Sequence, residues 1–138
     1  MKKTAVVYWS GTGNTAAMAE LVLEGLKSAG AEAELMECSA VSDLSAYDAV
    51  ALGCPAMGAE QLEDSEFEPM FEGVKGSLAG KKVALFGSYG WGDGEWMRLW
   101  EDDCKASGIT LAAESVMVNG APEGDDAEAC VALGRALA

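Results

Sequence analysis

The sequence predicts an α/β fold, a three-layer sandwich in which helices cover both faces of a five-stranded parallel sheet. Three features of the 138 residues indicate it: apolar runs without alternation, apolar residues at helical spacing between those runs, and glycines at the junctions. Strands that are buried on both faces have continuous apolar runs, which are typical of parallel sheets. Because a chain of this length can bury one core, residues 1–138 are expected to form a single domain.

The strands are predicted from five short apolar segments. They lie at residues 4–9, 33–38, 48–53, 82–87 and 111–118. The second alternates between apolar and polar residues, whereas the first, third and fourth do not. Sheets of this kind bind ligands beyond the carboxyl ends of their strands. A functional site is therefore expected in the loops that follow strands one, three and four.

Four helices are predicted between and after these strands. Apolar residues at helical spacing mark them: Met18, Leu21, Val22 and Leu26 in the first, Phe67, Met70, Phe71 and Val74 in the second, Met97, Trp100 and Cys104 in the third, and residues 126–137 in the last. Gly30 and Gly108 supply stops for the first and third helices, and Pro69 fits the first turn of the second.

The composition excludes several classes of function. The chain has four cysteines but no histidine and no Cys-x-x-Cys pair, so neither a metal site nor a Ser-His or Cys-His nucleophile pair is expected. We expect buried free thiols, no bound metal and no catalytic residue. The formal net charge of −14 disfavours nucleic acid and anionic membranes as partners.

The hydropathy pattern favours a cytoplasmic protein. No stretch approaches the ~18 continuous apolar residues of a membrane span. The apolar run that follows Lys2 and Lys3 stops at Ser10, which is too short for the hydrophobic region of a signal peptide.

The loop after the first strand is predicted to bind phosphate. Glycines allow its backbone N–H groups to converge at a helix N-terminus, and hydroxyl and amide side chains add donors. Its residues are Ser10, Gly11, Thr12, Gly13, Asn14 and Thr15. A nucleoside triphosphate is disfavoured because the loop lacks the lysine of a Walker motif. Spacing alone leaves a dinucleotide site open, but the hydroxyl density favours a terminal monophosphate.

The other two loops provide surfaces for a flat ring. Met57 and Gly58 lie in the loop after the third strand, where a satellite apolar cluster is the alternative explanation for the methionine. Tyr89 and Trp91 lie among glycines after the fourth strand, and Glu60 could accept a hydrogen bond from a ring N–H. A phosphate hollow, two walls and a polar acceptor together indicate FMN.

Three motifs in this order closely resemble the short-chain bacterial flavodoxins. They are Tyr-Trp-Ser-Gly-Thr-Gly-Asn-Thr at 8–15, Ala-Met-Gly at 56–58 and Phe-Gly-Ser-Tyr-Gly-Trp-Gly-Asp-Gly at 86–94, and the resemblance covers essentially the whole chain. It implies a flavodoxin-like sheet in the strand order 2-1-3-4-5.

The resemblance also implies a role for each part of the site. The phosphate would lie at Ser10 to Thr15, Trp91 would stack on the outer flavin face and Met57 would contact the inner face. Tyr89 and Gly90 would border the pyrimidine edge, and Glu60 would accept the N3 proton. The residues expected to bind FMN are Ser10, Gly11, Thr12, Gly13, Asn14, Thr15, Pro55, Ala56, Met57, Gly58, Glu60, Ser88, Tyr89, Gly90, Trp91 and Gly92.

The charge pattern of the three loops predicts a low redox potential. None of them contains a lysine or arginine, so the anionic, fully reduced flavin would lack a compensating cation. The resemblance implies that FMN cycles between quinone, semiquinone and hydroquinone. Turning of the peptide at Gly58 would stabilise the neutral radical, and Ala59 departs from the polar residue that is usual in the family.

The implied function is one-electron transfer, in place of ferredoxin, between redox enzymes with basic docking surfaces, and the protein is expected to be a monomer. Acidic residues crowd into one stretch, which is either a solvated helix face or a docking surface: Glu60, Glu63, Asp64, Glu66, Glu68 and Glu72.

Three other functions are alternatives to this one. An FMN-dependent quinone or NAD(P)H reductase on the same fold is the main alternative, although no extra segment for a substrate pocket or an oligomer is visible. A phospho-receiver would need acidic residues where Ser10, Gly11, Gly53 and Cys54 stand. An interaction protein without a cofactor would be colourless when purified.

Overall fold

The computed structural model describes residues 3–11, 13–57, 62–90, 92 and 94–138. Within these residues, strands and helices alternate along the chain. The strands are β1 (Lys3–Tyr8), β2 (Glu32–Glu37), β3 (Ala49–Gly53), β4 (Lys82–Tyr89) and β5 (Val116–Asn119), and the helices are α1 (Asn14–Ser28), α2 (Phe67–Val74), α3 (Glu95–Ala106) and α4 (Asp125–Leu137). None of the described helices is long and apolar enough to cross a membrane.

All five strands form one sheet in the order β2-β1-β3-β4-β5, and every neighbouring pair is parallel. Alternate residues of the central strands point to opposite faces. Val6 packs in the core that contains the apolar residues of α1 and α4, whereas Val7 packs in the core that contains those of α2 and α3. The predicted α/β sandwich and its strand order are therefore confirmed.

Two strands differ from their predicted bounds by more than one residue at either end. β4 continues through Ser88 and Tyr89, for which the sequence predicts a loop, because these residues pair with Val118 and Asn119 of β5. β5 is shorter than predicted, since Leu111 makes only an isolated bridge with Val83 before the ladder resumes. The longer β4 places Ser88 and Tyr89 on a strand end.

Helices α1 and α4 approach each other at two glycines. A Cβ atom on Gly25 would lie 2.0 Å from the carbonyl oxygen of Val131, and one on Gly134 would lie 2.1 Å from the carbonyl oxygen of Val22. These distances are too short for any side chain, so both positions require glycine. The contact holds α1 against α4.

We predict that Gly134→Ala destabilises the protein by about 1 to 3 kcal/mol, the usual cost of overpacking a close interior contact. Gly73→Ala is the matched control, because a Cβ on this residue of α2 meets nothing within 4 Å. The control should raise stability by about 0.5 kcal/mol through its better helix propensity. Urea unfolding of both variants measures the difference, and equal stabilities would contradict the assigned contact.

Candidate functional site

A cavity of about 340 Å³ opens at the carboxyl ends of the central strands. Two backbone hydrogen bonds join the segments around it: Trp9 N–H donates to the Gly53 carbonyl at 3.0 Å, and Ala56 N–H donates to the Ser88 carbonyl at 3.1 Å. The cavity is lined by Trp9, Ser10, Gly11, Asn14, Thr15, Pro55, Ala56, Met57, Ser88, Tyr89, Gly90 and Gly120. Its volume lies within the range of small-molecule sites.

The cavity joins residues from all three predicted loops. Two predicted residues are described but do not line it: Gly13 is the N-cap of α1, and Gly92 is exposed with a φ of 84°. Thr12, Gly58, Ala59, Glu60 and Trp91, for which the sequence also predicts roles, lie outside the described residues. Contact between any of these residues and a cofactor stays a prediction.

Two lining residues were missed by the sequence-based prediction. Trp9 was assigned to the first strand, but β1 ends at Tyr8, which leaves the indole at the rim. Gly120 follows β5, and its carbonyl accepts a hydrogen bond from Ser88 Oγ at 2.7 Å. The rule that ligands lie beyond strand ends points to both, because each residue comes directly after a strand.

One end of the cavity suits an anion. Gly13, the N-cap of α1, has no side chain to cap the helix, and the first turn of α1 contains no acidic residue, unlike the first turns of α2, α3 and α4. The positive end of the helix dipole is therefore left uncompensated by the helix itself. Asn14 and Thr15 begin this helix and line the cavity.

Two hydroxyl groups at this end are already oriented. Ser10 Oγ accepts a hydrogen bond from the Gly13 N–H at 3.1 Å, and Thr15 Oγ1 accepts one from the Ser88 N–H at 3.4 Å. Because each oxygen accepts from the backbone, its own proton is available for donation. Thr15 is almost fully buried.

The opposite wall is held by a close approach of β4 to the loop after β3. A Cβ on Gly87 would lie 2.2 Å from the Cys54 carbonyl oxygen, so only glycine permits this approach. The same carbonyl accepts a hydrogen bond from Trp96 Nε1 at 3.1 Å. The Trp96 ring also packs against Tyr89, with ring centroids 5.5 Å apart. The packing leaves Tyr89 half-buried at the cavity wall.

No charged side chain is found among the described residues that line the cavity. Hydroxyl groups, backbone amides and a helix N-terminus are its polar features. Such a surface can bind an anion through hydrogen bonds without neutralising it by a formal positive charge.

The acidic stretch does not form one uniform surface. Asp64, Glu66 and Glu68 are exposed, as a solvated or docking face requires, but Glu63 is buried. Its carboxylate accepts hydrogen bonds from the Glu66 N–H at 2.7 Å and the Phe67 N–H at 2.9 Å, and from both the N–H and the hydroxyl of Ser65. The grouping of Glu63 with the surface acids is corrected: it turns inward because the free N–H groups at the start of α2 need an acceptor.

The ionised form of Glu63 is favoured by this arrangement. Burial alone would raise the pKa of the carboxyl group, but the hydrogen bonds from Ser65, Phe67 and Glu66 outweigh it, and the pKa lies below its ordinary value of 4.5. The stabilising contribution is therefore fully present above the unfolded-state pKa. It is lost as the pH falls through the folded-state pKa.

We predict that Glu63→Gln destabilises the protein at pH 7 by about 1 to 2 kcal/mol, comparable to the loss of a helix N-cap. The difference from the wild type should shrink as the pH is lowered from 5 to below the folded-state pKa, where the native carboxyl group is itself neutral. Urea unfolding across this pH range measures it. Glu68→Gln removes an exposed charge from the same helix turn, and a loss as large as that of Glu63→Gln would contradict the assignment.

The four cysteines are buried free thiols. Burial raises the pKa of Cys38 and Cys130 to about 11 and that of Cys104 to about 12, and it raises the pKa of Cys54 still further. Thiols that stay protonated at neutral pH are poor nucleophiles. Within the described part of the chain, no group of three or more Cys, Asp or Glu residues is arranged to hold a metal ion.

Comparison with known sequences supports one family. The family model described as Flavodoxin matches residues 6–134. A flavodoxin from Megasphaera elsdenii is 49% identical over 135 residues, which make up 96% of each chain. A flavodoxin from Clostridium beijerinckii is 46% identical over 136 residues, which cover 96% of this chain and 97% of that one.

Solved structures agree with the sequence matches. The solution structure of two-electron reduced Megasphaera elsdenii flavodoxin superposes with a TM-score of 0.89 at 45% identity and covers 97% of both chains. A flavodoxin from the domain Archaea has a TM-score of 0.85 at 27% identity, covering 98% of this chain and 95% of that chain.

Proposed function

Because the chain belongs to the flavodoxin family and is therefore a flavin-binding electron carrier, we propose that it carries single electrons at low potential on FMN. The observation that supports this most directly is the cavity, which combines an uncompensated helix N-terminus with a lining free of charged side chains among the described residues. When bound, FMN would supply the one-electron chemistry. The chain's own residues would bind it, orient it and set its potential.

The phosphate of FMN fits the α1 end of the cavity. The N-terminus of α1 offers free backbone N–H groups, and the hydroxyls of Ser10 and Thr15 have protons to donate. We propose that the Ser10–Thr15 loop, with Thr12 included, holds the phosphate. These donors suit a terminal phosphate because they surround one hollow.

The flavin ring would occupy the rest of the cavity. Met57 and Tyr89 lie at its edge, and Pro55, Ala56 and Gly90 complete the described lining there. We propose that Trp91 stacks on the outer face of the ring and that Glu60 accepts its N3 proton. Apolar and aromatic walls of this kind bury a flat ring and restrict its contact with water.

The low potential is proposed from electrostatics. Full reduction adds negative charge to the flavin next to a phosphate, inside a protein of net charge −14. Since the described lining carries no cation, no formal positive charge in it offsets the added charge. Each tenfold loss in relative affinity for the reduced form lowers a one-electron potential by about 59 mV.

We predict that Thr15→Val weakens FMN binding about tenfold or more, because a hydrogen bond to a charged group is lost. Riboflavin, which lacks the phosphate, should bind with unchanged affinity. Fluorescence titration of the apoprotein with each ligand measures both constants.

Thr4→Val is the control for this substitution. This isosteric substitution removes a hydroxyl that is buried in β1 and has no hydrogen-bond partner among the described residues. Both affinities should be unaffected. A Thr15→Val variant that loses affinity for FMN and riboflavin equally would argue against phosphate binding at this loop.

We predict that a lysine at the cavity rim raises the potential at which FMN becomes fully reduced. Gly90 suits the test, since a Cβ there meets nothing within 4 Å and Gly90 lines the cavity. Gly90→Lys should raise that potential by about 30 to 60 mV, up to a tenfold gain in relative affinity. Gly76→Lys adds the same charge in open space beyond α2, and spectroelectrochemical titration compares the two. Equal shifts in both variants would mean that the local charge of the cavity does not set the potential.

We propose that the protein itself catalyses no substrate reaction. Electron transfer requires only close approach of a partner's cofactor, so a catalytic residue is not needed. The alternative is an FMN-dependent quinone or NAD(P)H reductase, and the flavodoxin relatives do not favour it. Rapid reduction of the bound flavin by NAD(P)H alone would support that enzyme.

The proposal extends to partners and organisation. The protein, as a flavodoxin, has redox partners, and we propose that they are ferredoxin-dependent enzymes with basic docking surfaces. Asp64, Glu66 and Glu68 are exposed at the start of α2, on the same edge of the sheet as the cavity, and would steer such partners. We further propose a monomer whose 138 residues form one FMN-binding domain, and a cytoplasmic location, where the four free cysteines would stay reduced.

A further inference from the structure

We propose that Glu63, which lies outside the described lining of the cavity, is a positioning residue that holds two walls of the flavin site in register. The two walls are formed by Trp9 and by the segment Pro55 to Met57, which both line the cavity. The inference rests on the proposed FMN site for its function, and the hydrogen bonds that carry it are all in the described part of the chain.

The first connection runs from Glu63 to Trp9. One carboxylate oxygen of Glu63 accepts the Glu66 N–H at 2.7 Å, which fixes the backbone of Glu66 at the start of α2. The Glu66 carboxylate then accepts a hydrogen bond from Trp9 Nε1 at 3.1 Å. The Trp9 ring lies against the phosphate-loop backbone, since a Cβ on Gly11 would be 3.0 Å from it.

The second connection runs from Glu63 to the loop after β3. The Glu63 N–H donates to Cys54 Sγ at 3.4 Å, which ties residue 63 to the residue directly before Pro55. Cys54 is itself fixed, because its N–H donates to the Phe86 carbonyl at 3.1 Å and its carbonyl accepts from Trp96 Nε1 at 3.1 Å. Cys54, which directly precedes the segment Pro55 to Met57, is therefore held by three hydrogen bonds.

The side chain of Glu63 holds the first connection, whereas the second uses the backbone N–H of residue 63. Ser65, Glu66 and Phe67 present backbone N–H donors to Glu63, and the Ser65 hydroxyl adds another. A glutamine has one acceptor oxygen and would turn an NH₂ group toward part of this donor cluster. Glu63→Gln therefore keeps the size of the side chain while it removes the means of holding both Ser65 and Glu66.

An ordinary helix cap would act differently. It would stabilise α2, and its loss would lower the free energy of unfolding. The effect on the two pocket walls would then be no larger than that of any other substitution with the same destabilisation. The positioning role predicts instead that the hydrogen bond at Trp9 and the affinity for FMN change together. Stability and positioning can therefore be separated by experiment.

The test compares Glu63→Gln with two controls in the full-length chain. Glu68→Gln removes an exposed charge from the first turn of the same helix. Gly134→Ala disturbs the contact between α1 and α4, away from the loop after β3, and serves as a destabilised variant. The first measurement is hydrogen exchange of the Trp9 indole N–H in apoprotein by NMR, with Trp9→Phe to assign the signal.

We expect Glu63→Gln to speed exchange of the Trp9 indole about tenfold or more and to weaken FMN binding by a similar factor, since the backbone of Glu66, whose carboxylate accepts from the indole, loses an acceptor. Both controls should stay within about twofold of the wild type in each measurement. The positioning role would be overturned if indole exchange and FMN affinity remain at wild-type values in Glu63→Gln. It would also be overturned if both quantities change equally in Gly134→Ala.

Failure of the proposed function is a separate result. A wild-type apoprotein that does not bind FMN would overturn the FMN proposal, and the indole exchange would still decide whether Glu63 holds Trp9. If the wild type binds FMN normally and Glu63→Gln keeps wild-type indole exchange and FMN affinity, only the inference about Glu63 is overturned.

Discussion

The feature on which the rest of the structure depends is the N-terminus of α1, left without an acidic partner at the edge where the strands end. Parallel strands and their returning helices direct several helix N-termini to the same edge of the sheet. The first turns of α2, α3 and α4 contain acidic residues, whereas the first turn of α1 has none and faces the cavity. The absence of acidic residues in the first turn of α1 is what suits this helix end to the proposed phosphate.

The remaining architecture holds this edge together. The contact of Gly25 and Gly134 brings α1 against α4, and Gly87 lets β4 approach the carbonyl of Cys54. Glu63 occupies the corresponding N-terminus of α2 with the chain's own carboxylate. The N-termini of α1 and α2 therefore differ: the Glu63 carboxylate accepts hydrogen bonds at the start of α2, whereas the start of α1 is available for the proposed phosphate.

Much of the fold could be predicted from the sequence because its signals are local. Unbroken apolar runs such as 48–53 identify buried parallel strands, and the spacing of Phe67, Met70 and Phe71 identifies a helix face. The end of β4 could not be placed, because the glycines after Phe86 look like a loop until the pairing with Val118 and Asn119 is known. The rule of strand ends points to Gly120, but its hydrogen bond with Ser88, 32 residues away, depends on the fold.

The acidic stretch shows the same limit for charge. Sequence alone predicts an acidic surface between residues 60 and 72, but it does not reveal that Glu63 turns inward while Asp64 and Glu66 stay exposed. That difference arises from backbone donors at the start of α2, whose positions depend on the fold. Sequence motifs therefore identify most residues that line the cavity, whereas the position of Glu63 is known only from the folded structure.

The most direct test of the account is the potential at which the protein-bound FMN becomes fully reduced, compared with that of free FMN under the same conditions. A pocket that binds the phosphate without a compensating cation should favour the oxidised over the fully reduced cofactor, so the bound potential should be clearly more negative than the free one. A bound potential equal to or above that of free FMN would contradict the account.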